Sequence, residues 1–153
     1  MRHEIRQDRA FDSLQQEAFL NLVRSAAILE DALDRVLRTY GLSSVQYNVL
    51  RILRGAGADG LCRNEIRDRL VSRMPDVTRL LDRMQAAGLV TRVRSATDRR
   101  QVSTYITDAG SKVLRNATGP VEAEHARQLA ALTPDQLRSL IDLTTLARKA
   151  AVT

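Results

Sequence analysis

The residues best equipped to do chemistry in this chain are its arginines. Arginine supplies 22 of the 24 basic residues, against 18 Asp and Glu, for a formal charge of +6. The excess is local. Residues 61–100 hold ten arginines and five carboxylates, whereas residues 1–60 balance eight of each. A guanidinium stays charged at any accessible pH and meets phosphate as a bidentate fork. A concentrated arginine segment is therefore the electrostatic footprint of a polyanion binder, nucleic acid above all.

Catalysis has far less to work with. His3 and His125 are the only histidines, and neither has a neighbouring nucleophile or the carboxylate pattern of an acid–base site. His125, within Glu122-Ala123-Glu124-His125, reads as a solvated helix face. One thiol, Cys62, and two scattered imidazoles do not make a zinc site. The glycines from Gly55 to Gly60 follow a helical pattern and precede no Lys-Ser or Lys-Thr, so they do not form a phosphate loop. No catalytic residue, no metal and no cofactor is expected. A lone cysteine excludes an intrachain disulfide and suits the cytoplasm. The longest charge-free stretch, Thr39 to Leu50, has 12 residues, and a membrane span needs about 20. The charged opening MRHEIRQDRA lacks the apolar run of a secretory signal.

Something must hold the arginines in place, and the apolar periodicity says what. Leu14, Phe19, Leu22, Ala26, Leu29, Leu33, Val36 and Leu37 predict one long helix from about Asp12 to Thr39, stopped by Gly41. Ser43 and Gln46 form a capping box for a second helix, with Leu42 and Tyr47 as its hydrophobic staple. A short helix opens at Leu61–Ile66 and ends near Val71. The next begins within Ser72–Pro75 and runs to Ala87. Its stripe of Val77, Leu80, Leu81 and Met84 leaves Pro75, Arg79, Asp82 and Arg83 on the opposite face. Two β-prone runs, Leu89–Arg94 and Val102–Ile106, flank a charged tip and predict a hairpin. Thr107-Asp108 caps a helix in which Gly119-Pro120 predicts a kink or break. Thr133-Pro134-Asp135-Gln136 opens a last helix through about Ala150.

Helix, short helix, turn, helix and charged hairpin is the order of a winged helix-turn-helix. In that arrangement the helix after Pro75 lies in the major groove of double-stranded DNA, where Arg79 and Arg83 reach guanine edges or phosphates. Thr78 contacts a phosphate or a thymine methyl from the flank. The hairpin tip, Asp98-Arg99-Arg100, reaches the adjacent minor groove. The candidate DNA-contacting set is Ser72, Arg73, Met74, Pro75 and Asp76 at the helix start, Thr78, Arg79 and Arg83 along it, and Arg94, Asp98, Arg99 and Arg100 on the hairpin. The competing reading of the same fold is a protein–protein adaptor without an operator.

Over Pro75 to Gly110 the chain resembles the MarR (multiple-antibiotic-resistance regulator) family of bacterial repressors. Thr78-Arg79, Leu81-Asp82-Arg83, Gly88-Leu89-Val90, Asp98-Arg99-Arg100 and Ile106-Thr107 with Gly110 carry the match. The resemblance implies a mainly α subunit with a small β-hairpin wing, residues 1–153 forming one unit. Within it, residues 43–106 would form the winged helix-turn-helix lobe, and residues 12–41 and 107–150 the helical dimerisation region. It implies a homodimer on a palindromic operator, repression of transcription, and release by a small aromatic or phenolic effector. It also implies that Arg100 enters the minor groove and that Asp98 holds it there. Cys62 departs from the family pattern, which has Ser or Thr as the cap partner of Glu65. For the effector, Tyr40 and Tyr47 with Arg24 or Arg51 are the candidate pocket, although core packing and surface salt bridges account for the same residues.

Overall fold

The first helix starts at Ser13, whose hydroxyl accepts the Gln16 N–H at 3.1 Å. The computed structural model describes residues 4, 6, 8–72, 76–94 and 102–150. In it, α1 (Leu14–Arg38) and α2 (Ser44–Ala56) precede a 3-10 turn at Gly57–Asp59. Next come β1 (Leu61–Cys62), α3 (Arg63–Arg69), α4 (Val77–Ala86), β2 (Val90–Arg94) and β3 (Val102–Ile106), then α5 (Asp108–Gln128) and α6 (Pro134–Ala150). Both expected capping boxes form. Ser43 N–H donates to Gln46 at 2.9 Å and Thr133 N–H to Gln136 at 2.9 Å, with the reciprocal bonds at 3.3 Å.

The strands make one antiparallel sheet in the order β1-β3-β2, with the wing paired from Val90↔Ile106 to Arg94↔Val102. The core lies between this sheet and the helices. Leu37 of α1, Leu50 and Leu53 of α2, Ile66 of α3, Leu81 and Met84 of α4 and Leu114 of α5 are fully buried together. Burial of each such side chain contributes about 1.5–3 kcal/mol. Helix α4 is thus fixed by its apolar stripe to the same core that carries α5.

Three expectations need correction. The helix predicted to begin within Ser72–Pro75 begins at Val77, because the Asp76 carboxylate accepts the Arg79 N–H at 2.9 Å and caps it there. Gly119-Pro120 does not break α5, which is continuous from Asp108 to Gln128. Pro120 and Asn116, whose carbonyl loses its partner, both lie on the exposed side, where water satisfies that carbonyl. Leu114, Ala117 and Val121 meanwhile hold the opposite face in the core. Finally, the helix expected to open at Leu61 begins at Arg63 with Cys62 as its N-cap, and Leu61-Cys62 forms a short strand, pairing Leu61 with Thr104 and Cys62 with Ser103. Gly60 allows this edge to close, since it has φ +62° and a Cβ there would lie 2.5 Å from the Tyr105 ring.

The outer helices are apolar where nothing covers them. No residue of α6 is buried, and Ile141, Leu143 and Leu146 are about two-thirds exposed. Phe19, Val23 and Ile28 of α1 are more than half exposed. Among the described residues, no helix is long and apolar enough to cross a membrane, and no group of three or more His, Cys, Asp or Glu is placed to hold a metal ion.

Candidate nucleic-acid interface

Helix α4 presents the face that its stripe predicts. Val77, Leu80, Leu81 and Met84 are buried, and Thr78, Arg79, Asp82 and Arg83 are exposed. Arg79 has 82% of its side chain exposed, with only a 3.7 Å contact to the Asp76 carboxylate. Arg83 Nε donates to the Arg79 carbonyl at 3.3 Å, one turn back, which lays its stem along the helix. Both guanidinium groups therefore remain available to a ligand. Asp76 is different: its carboxylate is engaged at the helix start, where it caps α4.

The flanks of α4 are tied from two sides. Arg63, the first residue of α3, donates to Thr78 Oγ1 at 3.4 Å. Val71 N–H donates to Asn48 Oδ1 of α2 at 3.2 Å, fixing the chain as it leaves α3. Ser72 and Arg94 are exposed, Arg94 at the end of β2. Of the other expected contacts, Arg73, Met74, Pro75, Asp98, Arg99 and Arg100 lie outside the described residues, and so does the expected Asp98–Arg100 pairing.

Sequence reasoning missed Arg63 and Arg92 as parts of this surface. Arg92 joins β2 to α4 through Asp82 and Gln85. Both belong to the ten-arginine segment, but nothing in the spacing separates an arginine that faces a ligand from one that braces the fold.

The start of α3 is braced by Glu65. Its carboxylate accepts the Cys62 backbone N–H at 2.8 Å. That bond is the main reason its pKa is held below the ordinary carboxylate value, with a side-chain bond to Cys62 and the charge of Arg69 acting the same way. Cys62 itself is half-buried at the edge of the sheet.

Of the four residues considered for an effector pocket, the two tyrosines meet at the core and the two arginines lie on different helices. Tyr47 belongs to the core and Tyr40 packs against it, while Arg51 is exposed on α2. Arg24 sits near the middle of α1, about 21 Å from the helix end at Arg38, just before Tyr40, at a rise of about 1.5 Å per residue. There it lines an open groove of about 440 Å3 with Leu20, Val23, Ala27 and Ile28. Among the described residues its Nε has no hydrogen-bond partner, while a terminal nitrogen donates to the Glu4 carbonyl at 3.4 Å and the Glu4 carboxylate stands 3.8 Å from Nε.

Comparison with known proteins gives this arrangement a context. Residues 40–101, which take in α2 through β2, match the model of the MarR family. The transcriptional regulator PecS of Dickeya dadantii is 33% identical over 90 residues, covering 58% of this chain and 54% of PecS. The regulator TtmR of Methylorubrum extorquens is 34% identical over 109 residues, which is 70% of this chain and 53% of TtmR. The chain thus spans about half the length of these curated relatives. Among solved structures, Sco3205 of Streptomyces coelicolor, a MarR family regulator in complex with DNA, is 25% identical with a TM-score of 0.81, covering 93% of this chain and 90% of that one. A MarR transcription factor from Planctomyces limnophilus is 42% identical with a TM-score of 0.69, and the match takes in 90% of this chain and 99% of the other. Identity of that degree over nearly two whole chains, on a shared winged fold, places this protein in the MarR family of winged helix-turn-helix transcriptional regulators.

Proposed function

We propose that the protein is a homodimeric transcriptional repressor that binds a palindromic operator, with α4 in the major groove and the wing against the adjacent minor groove. The observation that carries this reading is α4 itself. It is fixed to the core by four apolar side chains, and Arg79 and Arg83 are exposed on its outer face. A recognition helix needs that combination, since a mobile support would blur the register of any base contact. Sco3205, a MarR family regulator of similar fold in complex with DNA, supports the DNA-binding part of this reading. A cytoplasmic location goes with the reading.

Dimerisation follows from the uncovered helices. The apolar faces of α1 and α6 together exceed what a monomer ordinarily leaves in water, and a second copy is the partner that would cover both. Two copies related by a two-fold axis present two α4 helices, hence two inverted half-sites. Release by a small aromatic or phenolic acid belongs to the same proposal, with Arg24 and its apolar groove as the site and without Tyr40, Tyr47 and Arg51.

Selection of duplexes from a randomised pool tests the reading. The expected product is an inverted repeat whose retention weakens steeply as salt rises. Absence of retention even at low salt would remove the DNA assignment and favour the adaptor.

A further inference from the structure

Arg92 belongs to the wing strand, but its guanidinium is engaged by the helix. Nε donates to Gln85 Oε1 at 2.6 Å and a terminal nitrogen pairs with the Asp82 carboxylate. Asp82 and Gln85 are three apart on α4 and share a face, so one planar fork spans both. Arg92 has 28% of its side chain exposed and Asp82 has 52%.

Strand alternation puts Val90, Arg92 and Arg94 on one face of β2. Along that face Val90 is buried, Arg92 half-buried and Arg94 exposed. The strand therefore leaves the core along α4, and on this face Arg92 is the residue tied by its side chain to the helix, one step before Arg94. Asp82 stands three residues after Arg79 and one before Arg83 on the exposed face. Left unpaired, its carboxylate would face the same polyanion as those arginines.

We infer that Arg92 is a positioning residue, which locks the wing strand to the recognition helix so that Arg79, Arg83 and Arg94 meet one duplex as a single rigid surface. This rests on the DNA-binding reading above. It makes a prediction opposite to simple electrostatics. Removing the Asp82 charge from a DNA-facing surface should tighten binding by charge alone. If the clamp governs, the same change weakens binding, because the wing, still paired β2 to β3, is no longer tied by Arg92 to α4.

The test compares the full-length wild type with Asp82→Asn, Arg92→Gln and the double exchange Asp82→Arg/Arg92→Asp. Each is titrated over a salt series against the duplex that wild type recovers from a randomised pool and against a mixed-sequence duplex. Asp82→Asn is nearly isosteric at an exposed position, so it keeps the comparison open should another variant fold poorly. We expect Asp82→Asn and Arg92→Gln each to lose about tenfold on the selected duplex, about 1.4 kcal/mol, with little change on the mixed one. The salt slope should stay at the wild-type value, and the exchange should recover part of the loss. Equal or tighter binding of the selected duplex by Asp82→Asn overturns the inference. So does a salt slope for Arg92→Gln that falls by about 0.9 for each phosphate no longer neutralised, since Arg92 would then be touching the backbone itself. Wild type that retains no duplex at low salt overturns the DNA reading and the inference together. Wild-type retention with failure of the variants to differ overturns only the inference.

Discussion

The Thr107 hydroxyl donates to the Gly88 carbonyl at 2.7 Å, joining the end of the wing to the end of the recognition helix. The same oxygen accepts the Gly110 N–H at 3.0 Å and so caps α5. One side chain thus ties three elements: α4, the wing and the helix that leads away from the DNA-binding lobe. Gly110 completes the junction, because a Cβ there would lie 2.2 Å from the Leu89 carbonyl oxygen.

Thr107→Val should lose both bonds while keeping the shape of the side chain. A missing cap and an unpaired carbonyl together cost about 1–3 kcal/mol, read as a lower urea midpoint with an unchanged slope. Thr107→Ser keeps the hydroxyl and should remain within about 0.5 kcal/mol of wild type. Equal losses from both would show that the methyl packing matters and not the hydrogen bonds.

Assembly can be tested without touching DNA. Wild type should sediment at twice the 17.1 kDa chain mass at low micromolar concentration. Ile141, 63% exposed on α6 in the single chain, should tolerate Glu within one subunit but not at an apolar interface. We expect Ile141→Glu to dissociate at concentrations where wild type does not, with a melting temperature that rises with protein concentration. A wild type of single-chain mass would sink the dimer.

Much of this surface is legible in the sequence alone. Val77, Leu80, Leu81 and Met84 repeat at helical spacing, which is enough to assign the outer face of α4 and with it Arg79 and Arg83. Other features depend on what lies across the fold. A two-residue strand such as Leu61-Cys62 is too short to show alternation, so its pairing with Thr104 and Ser103 leaves no pattern. Pro120 reads as a breaker in one dimension, and only the packed helix reveals that its missing donor falls on the solvent side. Tyr47 has a pocket-like composition but sits in the core. Arg92 looks like any other arginine of a basic run until Asp82 and Gln85 are placed beside it.

Acid should weaken the protein through two carboxylates. The Cys62 N–H lowers the pKa of Glu65, and the Arg127 side chain lowers that of Glu124. A depressed folded-state pKa contributes stability that is complete above the unfolded value and is lost as pH falls through the folded one. The stability gap between wild type and Glu65→Ala should therefore be constant above the ordinary value of 4.5 and shrink below it. Urea midpoints across an acid series measure this. A gap that stays constant at the acid end would mean that Glu65 acts through packing and not through its charge.

Arg79 and Arg94 should fail in different ways, and the difference reports where each sits on the duplex. Arg79 projects from α4 with most of its side chain in solvent and only a long contact to Asp76, so a guanine edge in the major groove is within its reach. Arg79→Ala should cost about 1–3 kcal/mol and relax preference at one base pair in each half-site. Arg94 is exposed at the end of β2, and in the proposed docking a backbone phosphate would be its partner. Arg94→Ala should weaken all duplexes alike and reduce the salt slope by about 0.9 for each phosphate that the arginine neutralises. Binding-site selection with both variants, followed by titration of the recovered duplexes over a salt series, separates these outcomes. If Arg94→Ala shifts the selected sequence while Arg79→Ala leaves it intact, base readout belongs to the wing strand, and α4 is the element that merely anchors.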